Sequence, residues 1–135
     1  MAEQASADWP TGIDAITLFV EDLDETKTWY SAVFAKPPVF EDSNSVVFGF
    51  GNVVVNLLHV SAVAELIAPA AAAPRDAGSG VVFTLEVDDV DAMAAELERR
   101  GATILNGPMD RPWGIRTASF ADPDGHIWEI ARKID

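Results

Sequence analysis

The chain has 135 residues, about half of them apolar, and a formal net charge of −13, which suits one domain with a sizeable core. So acidic a chain, with its few basic residues scattered, offers no stripe to neutralise phosphates, so nucleic acid and anionic membrane surfaces are excluded as partners. The lack of cysteine removes disulfides, thiolate metal sites and a thiol nucleophile; with no bilayer-length apolar run and no signal-like pattern over Met1 to Asp8, a cytoplasmic location is expected.

In chain order, Ile16 to Val20 reads as a strand and runs into an acidic helix start. Asp22 and Glu25 have capping-box spacing, and Leu23, Thr26, Tyr30, Val33 and Phe34 recur at helical period. Strands are predicted near Pro38 to Phe40, Ser45 to Phe50 and Val53 to His59. A short helical turn over Val63 to Ile67 leads into a Pro-, Ala- and Gly-rich linker. The pattern then starts again. Phe83 to Asp91 repeats Ile16 to Asp24 at a constant spacing of 67 (83 − 16), with Asp89 at the N-cap and Val90, Met93, Ala94 and Leu97 on one helical face. Gly101 is placed to end that helix, and strands follow near Thr103 to Leu105, Arg116 to Phe120 and Ile127 to Ala131. Asp122-Pro123-Asp124-Gly125 is a tight turn between the last two. Both halves read β-α-β-β-β. The predicted organisation is one domain over 1–135, made of module 12–59, linker 60–80 and module 81–132.

Glu129 is the oddity of the last strand. A carboxylate between Trp128 and Ile130 must face water, a partner or a ligand, because burying it unpaired is costly. Strand alternation places Thr17 and Phe19 on one face of the first strand, Thr84 on the matching face of the fifth, and Asn56 and Glu129 on the last strands of the two modules. Mostly apolar surroundings with sparse polar points fit a small-molecule pocket. Trp113 reads as a packing residue or as a stacking wall for a planar ligand.

The repeated βαβββ unit, the Trp113-Gly114 lead-in and the closing FxDPDGxxxE segment resemble the vicinal oxygen chelate superfamily, which includes glyoxalase I, bleomycin-resistance proteins and extradiol dioxygenases. The resemblance implies an α+β fold, with two tandem βαβββ modules forming a curved mixed sheet around a cavity, and a homodimer. It also implies, in metal-dependent members, ligands from the first and last strands of each module. Those places fall here on Ala15, near Asn56, on Val82 and on Glu129. Neither alanine nor valine can ligate, and an asparagine carbonyl is a poor substitute for carboxylate or imidazole.

The expected function is therefore a metal-free small-molecule-binding protein of the glyoxalase/bleomycin-resistance type. Glu129 and Asn56 would orient an aromatic or planar ligand, Trp113, Phe19, Phe48 and Phe50 would pack against it, and Thr17 and Thr84 would add polar points. No cofactor is assigned, and a divalent metal held through loop residues such as His59 stays open. The alternative is a glyoxalase-like lyase or isomerase, or a dioxygenase-like enzyme, in which Glu129 is the catalytic carboxylate.

Overall fold

The structure, a computed structural model, describes residues 9–135; the expectation for Met1 to Asp8 lies outside the described residues. The first module runs β1 (Ala15–Val20), α1 (Leu23–Val33), β2 (Phe40–Glu41), β3 (Ser45–Phe50) and β4 (Val53–His59). A 3-10 turn, Val60–Ala62, and a short α2 (Val63–Ile67) lead into the linker. The second module repeats the plan as β5 (Val82–Glu86), α3 (Val90–Arg99), β6 (Ile104–Asp110), β7 (Ile115–Ala121) and β8 (Ile127–Lys133). Each module forms its own four-stranded mixed sheet, in the orders β1-β4-β3-β2 and β5-β8-β7-β6. The first strand of each lies parallel to the last. The α+β class and the two tandem βαβββ modules are those the sequence implies.

Both long helices start on an aspartate, as expected. Asp22 accepts the Glu25 N–H at 3.0 Å, and Asp89 accepts the Ala92 N–H at 3.0 Å. Glu25 does not return the capping-box bond; its carboxylate takes Arg75 instead, at 3.0 Å.

Alternation along the strands decides what is buried. Leu18, Val20, Val46, Phe48, Val55 and Leu57 of the first sheet share one core with Ala118, Phe120, Trp128 and Ile130 of the second. Tyr30 and Val33 of α1 and Val90, Ala94 and Leu97 of α3 fill the space between. The Tyr30 ring stacks on Phe48 at 5.7 Å and meets Trp128 edge-on at 6.1 Å. Phe50 stacks on Trp128 at 5.3 Å. Each such ring is worth about 2–3 kcal/mol of burial, so this seam is a main source of cohesion between modules.

This packing corrects one expectation. Phe48 is fully buried and belongs to the core and not to a cup, whereas Phe50 is partly buried, packs on Phe34 and Trp128, and lines a hollow of about 350 Å³ together with Thr84. Phe48 lies opposite Val55, and Val55 opposite Ile16, so the register of the β3–β4 hairpin puts Phe48 on the helix side. The first sheet's outer face carries Thr17 and Asn56, the second's Thr84 and Glu129, and both faces point away from the shared core. The two halves of the expected cup are therefore on separate faces within one chain.

Smaller differences have local causes. β6 runs on to Asp110, beyond the expected Thr103 to Leu105, because it passes through Gly107-Pro108 with two register shifts against β7. A proline there masks the strand in the sequence. Trp9 is exposed, whereas Trp29 packs against Tyr30, Phe34 and Phe120.

Candidate functional site

The outer face of the second sheet carries a polar row. Thr84 lies opposite Glu129, Glu129 opposite Ser119, and Ser119 opposite Asn106. The Thr84 hydroxyl donates to Glu129 Oε1 at 2.8 Å, which holds the carboxylate's orientation while leaving Oε2 free among the described residues. Arg116, across the hairpin from the last strand, is on the opposite face. It binds Asp91 through Nε and Nη2, each at 2.9 Å, and Asp110 through Nη1 at 2.9 Å. Hydrogen bonding from Arg116 holds the Asp91 carboxyl below its usual range and pushes the guanidinium up.

Arg111 is one of the scattered basic residues of the sequence, yet its side chain lies over this face. Nε donates to Thr117 Oγ1 at 2.8 Å and Nη2 to Asn106 Oδ1 at 2.5 Å, with Nη1 against the Met109 sulfur. Thr117 points outward, since its neighbours Ala118 and Phe120 are in the core, and it is nonetheless only 1% exposed. No sequence signal marks this: the placement depends on the bulge in β6 and on the tight turn closed by Arg111 N–H to Ile115 O at 2.7 Å.

The outer face of the first sheet has the row Thr17, Asn56, Val47. Asn56 Oδ1 is buried and accepts no hydrogen bond among the described residues, a state that costs about 1–3 kcal/mol. It borders a depression of about 470 Å³ with Asp42, Asn44, Ser45, Leu58, Ala62, Glu65 and Leu66. Asp42 is itself engaged: bonds from the Asn44 N–H and from Ser45 hold its carboxyl below the usual range. A smaller hollow of about 200 Å³ beside Thr84 and Ala131 lies on the other sheet and shares no lining residue with it.

The remaining candidates are dispersed. Phe19 lines a recess of about 170 Å³ with Arg75, Asp124 and His126. Trp113 is 69% exposed at the β6–β7 turn, next to Gly114, whose φ of 90° only glycine adopts readily. His59 caps the 3-10 turn, its Nδ1 accepting the Ser61 N–H at 3.1 Å. His126, beside Gly125 in the closing turn, meets Asp122 Oδ2 through Nδ1 at 2.8 Å.

The Asp122–Gly125 turn is a junction. Asp122 also accepts the Tyr30 hydroxyl at 2.7 Å and the Asp124 and His126 N–H groups at 2.9 Å each. Asp124 accepts the Glu21 N–H at 2.9 Å, the Thr26 hydroxyl at 2.8 Å and Arg75 Nε at 3.1 Å. Both aspartates are thus consumed in joining the second module to β1, α1 and the linker.

The donor set does not fit the family's metal centre. Ala15 and Val82 offer no donor atom, which leaves Glu129 and an amide. Among the described residues no group of three or more His, Cys, Asp or Glu is arranged to hold a metal ion. No helix among them is long and apolar enough to cross a membrane.

Comparison with known proteins agrees with the fold. An uncharacterised protein of Bacillus subtilis (strain 168), YraH, is 27% identical over 123 residues, covering 88% of this chain and 96% of its own. The metallothiol transferase FosB of Shouchella clausii (strain KSM-K16) is 27% identical over 125 residues, covering 88% of this chain and 78% of its own. The crystal structure of a glyoxalase-related enzyme from Fulvimarina pelagi superposes with a TM-score of 0.77 at 26% identity, over 90% of this chain and 88% of that one. The profile of the glyoxalase/bleomycin resistance protein/dioxygenase superfamily matches residues 12–130, and the chain belongs to that superfamily.

Proposed function

We propose that this chain binds a small aromatic or planar molecule without a resident metal ion, at a site completed by a second copy of itself. The observation that carries the reading is Glu129. It is held by Thr84 in a polar row on an open sheet face, while Ala15 and Val82 occupy the places from which metal ligands would come. Such a carboxylate can orient a donor on a ligand, and the unpaired Oδ1 of Asn56 can accept one. Within one chain these two groups are on separate faces, so pairing one module's face with the other module's face of a second chain is what would bring them into one pocket. Thr17 and Phe19 share the Asn56 face and join the proposed lining. Trp113 is proposed as a stacking surface supplied from the turn.

A second reading is enzymatic, with Glu129 as a general base or lone carboxylate ligand. It draws support from the similarity to the transferase FosB. Two measurements separate the readings. Elemental analysis of protein purified without chelator is expected to find less than about a tenth of an equivalent of Zn, Ni, Fe or Mn. Near-stoichiometric metal, lost together with activity in Glu129→Ala, would overturn the binding reading in favour of the enzyme. Thermal-shift screening with aromatic antibiotics and 2-oxoaldehyde–thiol adducts is expected to raise the melting temperature by mass action for the former. No shift with any compound would reject a ligand-binding role.

A further inference from the structure

The geometry points to an anionic group on the ligand, a carboxylate, phosphonate or phosphate, recognised by Arg111. The inference rests on the reading that the Glu129 face holds ligand, and it sharpens the class of molecule bound there. The chain's overall charge of −13 favours cations at long range, but that field is screened over roughly 8 Å in physiological salt. What a bound ligand meets is the local arrangement.

Three facts about Arg111 carry the argument. Its partners are all neutral, namely the hydroxyl of Thr117, the amide of Asn106 and the sulfur of Met109, and no carboxylate among the described residues is within ion-pair distance. This is unusual here: Arg75, Arg99, Arg100, Arg116 and Arg132 each pair with an acid. Secondly, the side chain is fixed. Two hydrogen bonds from the Nε and Nη2 edge of the guanidinium, one to a nearly fully buried threonine, lock its plane on the sheet, so the donors left on Nη1 and Nη2 keep a fixed direction toward an incoming anion. Some of its five N–H donors remain for a ligand. Thirdly, it shares the face with Glu129 without pairing to it. Asn106, which Arg111 holds, lies in the same cross-strand row as Glu129 and two strand spacings away, roughly 10 Å. Glu86 and Lys133 also project on this face, opposite Ala131 and Ile115. Neither has an ion pair there among the described residues. A ligand with an acidic group at Arg111 and a donor or positive group toward Glu129 would satisfy both ends.

The test uses matched probes on the full chain: phenylphosphonate and phenylacetate as anions, phenylacetamide as the neutral analogue and phenethylamine as the cation. Affinities come from calorimetry and sites from amide chemical shifts. The anions are expected to bind roughly tenfold more tightly than the amide, with shifts at Thr117, Ser119 and Glu129. Arg111→Met, which keeps much of the apolar stem, is expected to bring that ratio below about threefold, and Arg111→Lys to restore part of it. Unchanged thermal unfolding of both variants confirms that the comparison is between folded proteins; if Arg111→Met fails to fold, Arg111→Lys and Arg111→Gln carry the same comparison. Amide binding as tight as anion binding at these same residues would overturn the anionic assignment and leave the pocket reading standing. An anion preference that survives Arg111→Met would overturn the role of Arg111. Absence of binding by every probe at this face would overturn both.

Discussion

The Tyr30 hydroxyl of α1 donates to Asp122 Oδ2 at 2.7 Å and accepts the Trp128 indole N–H at 3.1 Å, so one phenol ties the first helix to the last hairpin. Burial, and after it the Asp122 charge, push the Tyr30 pKa well above its ordinary value. The sign follows. The unfolded chain releases this proton near pH 10 and the folded one does not, so stability is intact below about pH 10 and falls above it, toward about 1.4 kcal/mol per pH unit. Tyr30 is the only tyrosine, so ultraviolet titration of the phenolate reports this group alone. Tyr30→Phe is expected to cost about 1–3 kcal/mol at neutral pH and to flatten the alkaline fall, as read by urea unfolding between pH 8 and pH 11. An ordinary, reversible phenol titration in the folded state would contradict the prediction.

The same turn explains why so much of the fold was legible and so much of the site was not. Asp122, Pro123 and Gly125 act locally, and local chemistry reads well: the turn, both aspartate N-caps and the period of each helix follow from neighbours in sequence. Repetition exposed the tandem plan, because Ile16 to Asp24 and Phe83 to Asp91 solve the same strand-to-helix problem. Phe48 was misplaced because its face depends on register across a hairpin, and one step of pairing reverses it. Arg111 was missed because its position depends on the irregular β6 strand. The largest gap concerned module packing: alternation assigns each residue to a face, but it does not say which faces of two modules meet.

Asp124 is the second half of the junction, and its loss is expected to be graded differently from that of a simple cap. Asp124→Ala strips the acceptor from the Glu21 N–H, the buried Thr26 hydroxyl and Arg75. A cost of about 2–4 kcal/mol is expected, against about 1 kcal/mol for Asp22→Ala, which removes only a helix cap. Freed from Asp124, the linker should also be cut faster by trypsin at Arg75 under native conditions. Equal costs for the two variants would mean that the turn does not hold the modules together.

Two backbone positions predict opposite signs for opposite substitutions. Gly107 has φ 86°, and a Cβ there would collide with the Thr117 carbonyl oxygen and crowd Ala118. Gly107→Ala is expected to destabilise by roughly 2 kcal/mol or more, and to disturb Arg111 through Thr117. Ala35, just past α1, has φ 52°, a left-handed position where L-residues other than glycine are strained. Ala35→Gly is expected to stabilise by about 0.5–1 kcal/mol. Chemical denaturation of both variants checks the pair, and a stabilised Gly107→Ala would refute the close approach.

Asn56 separates stability from binding. Its buried Oδ1 accepts nothing within the described residues, so the folded chain carries a desolvation cost with no return. Asn56→Leu, of similar size and without the stranded acceptor, should leave the ligand-free protein as stable as the parent or about 1 kcal/mol more stable. The same change should weaken ligand binding, and self-association if the second copy covers this face, because the acceptor would then be lost from a contact it serves. Glu129→Gln provides the contrast. Thr84 can still donate to the amide oxygen, so stability should change by less than about 0.5 kcal/mol while affinity for a ligand that presents a positive donor falls roughly tenfold. Melting temperatures measured with and without ligand, together with sedimentation of both variants, distinguish the cases. If Asn56→Leu destabilises the isolated chain and leaves binding untouched, the amide is a core residue and the first sheet's face is not part of the site.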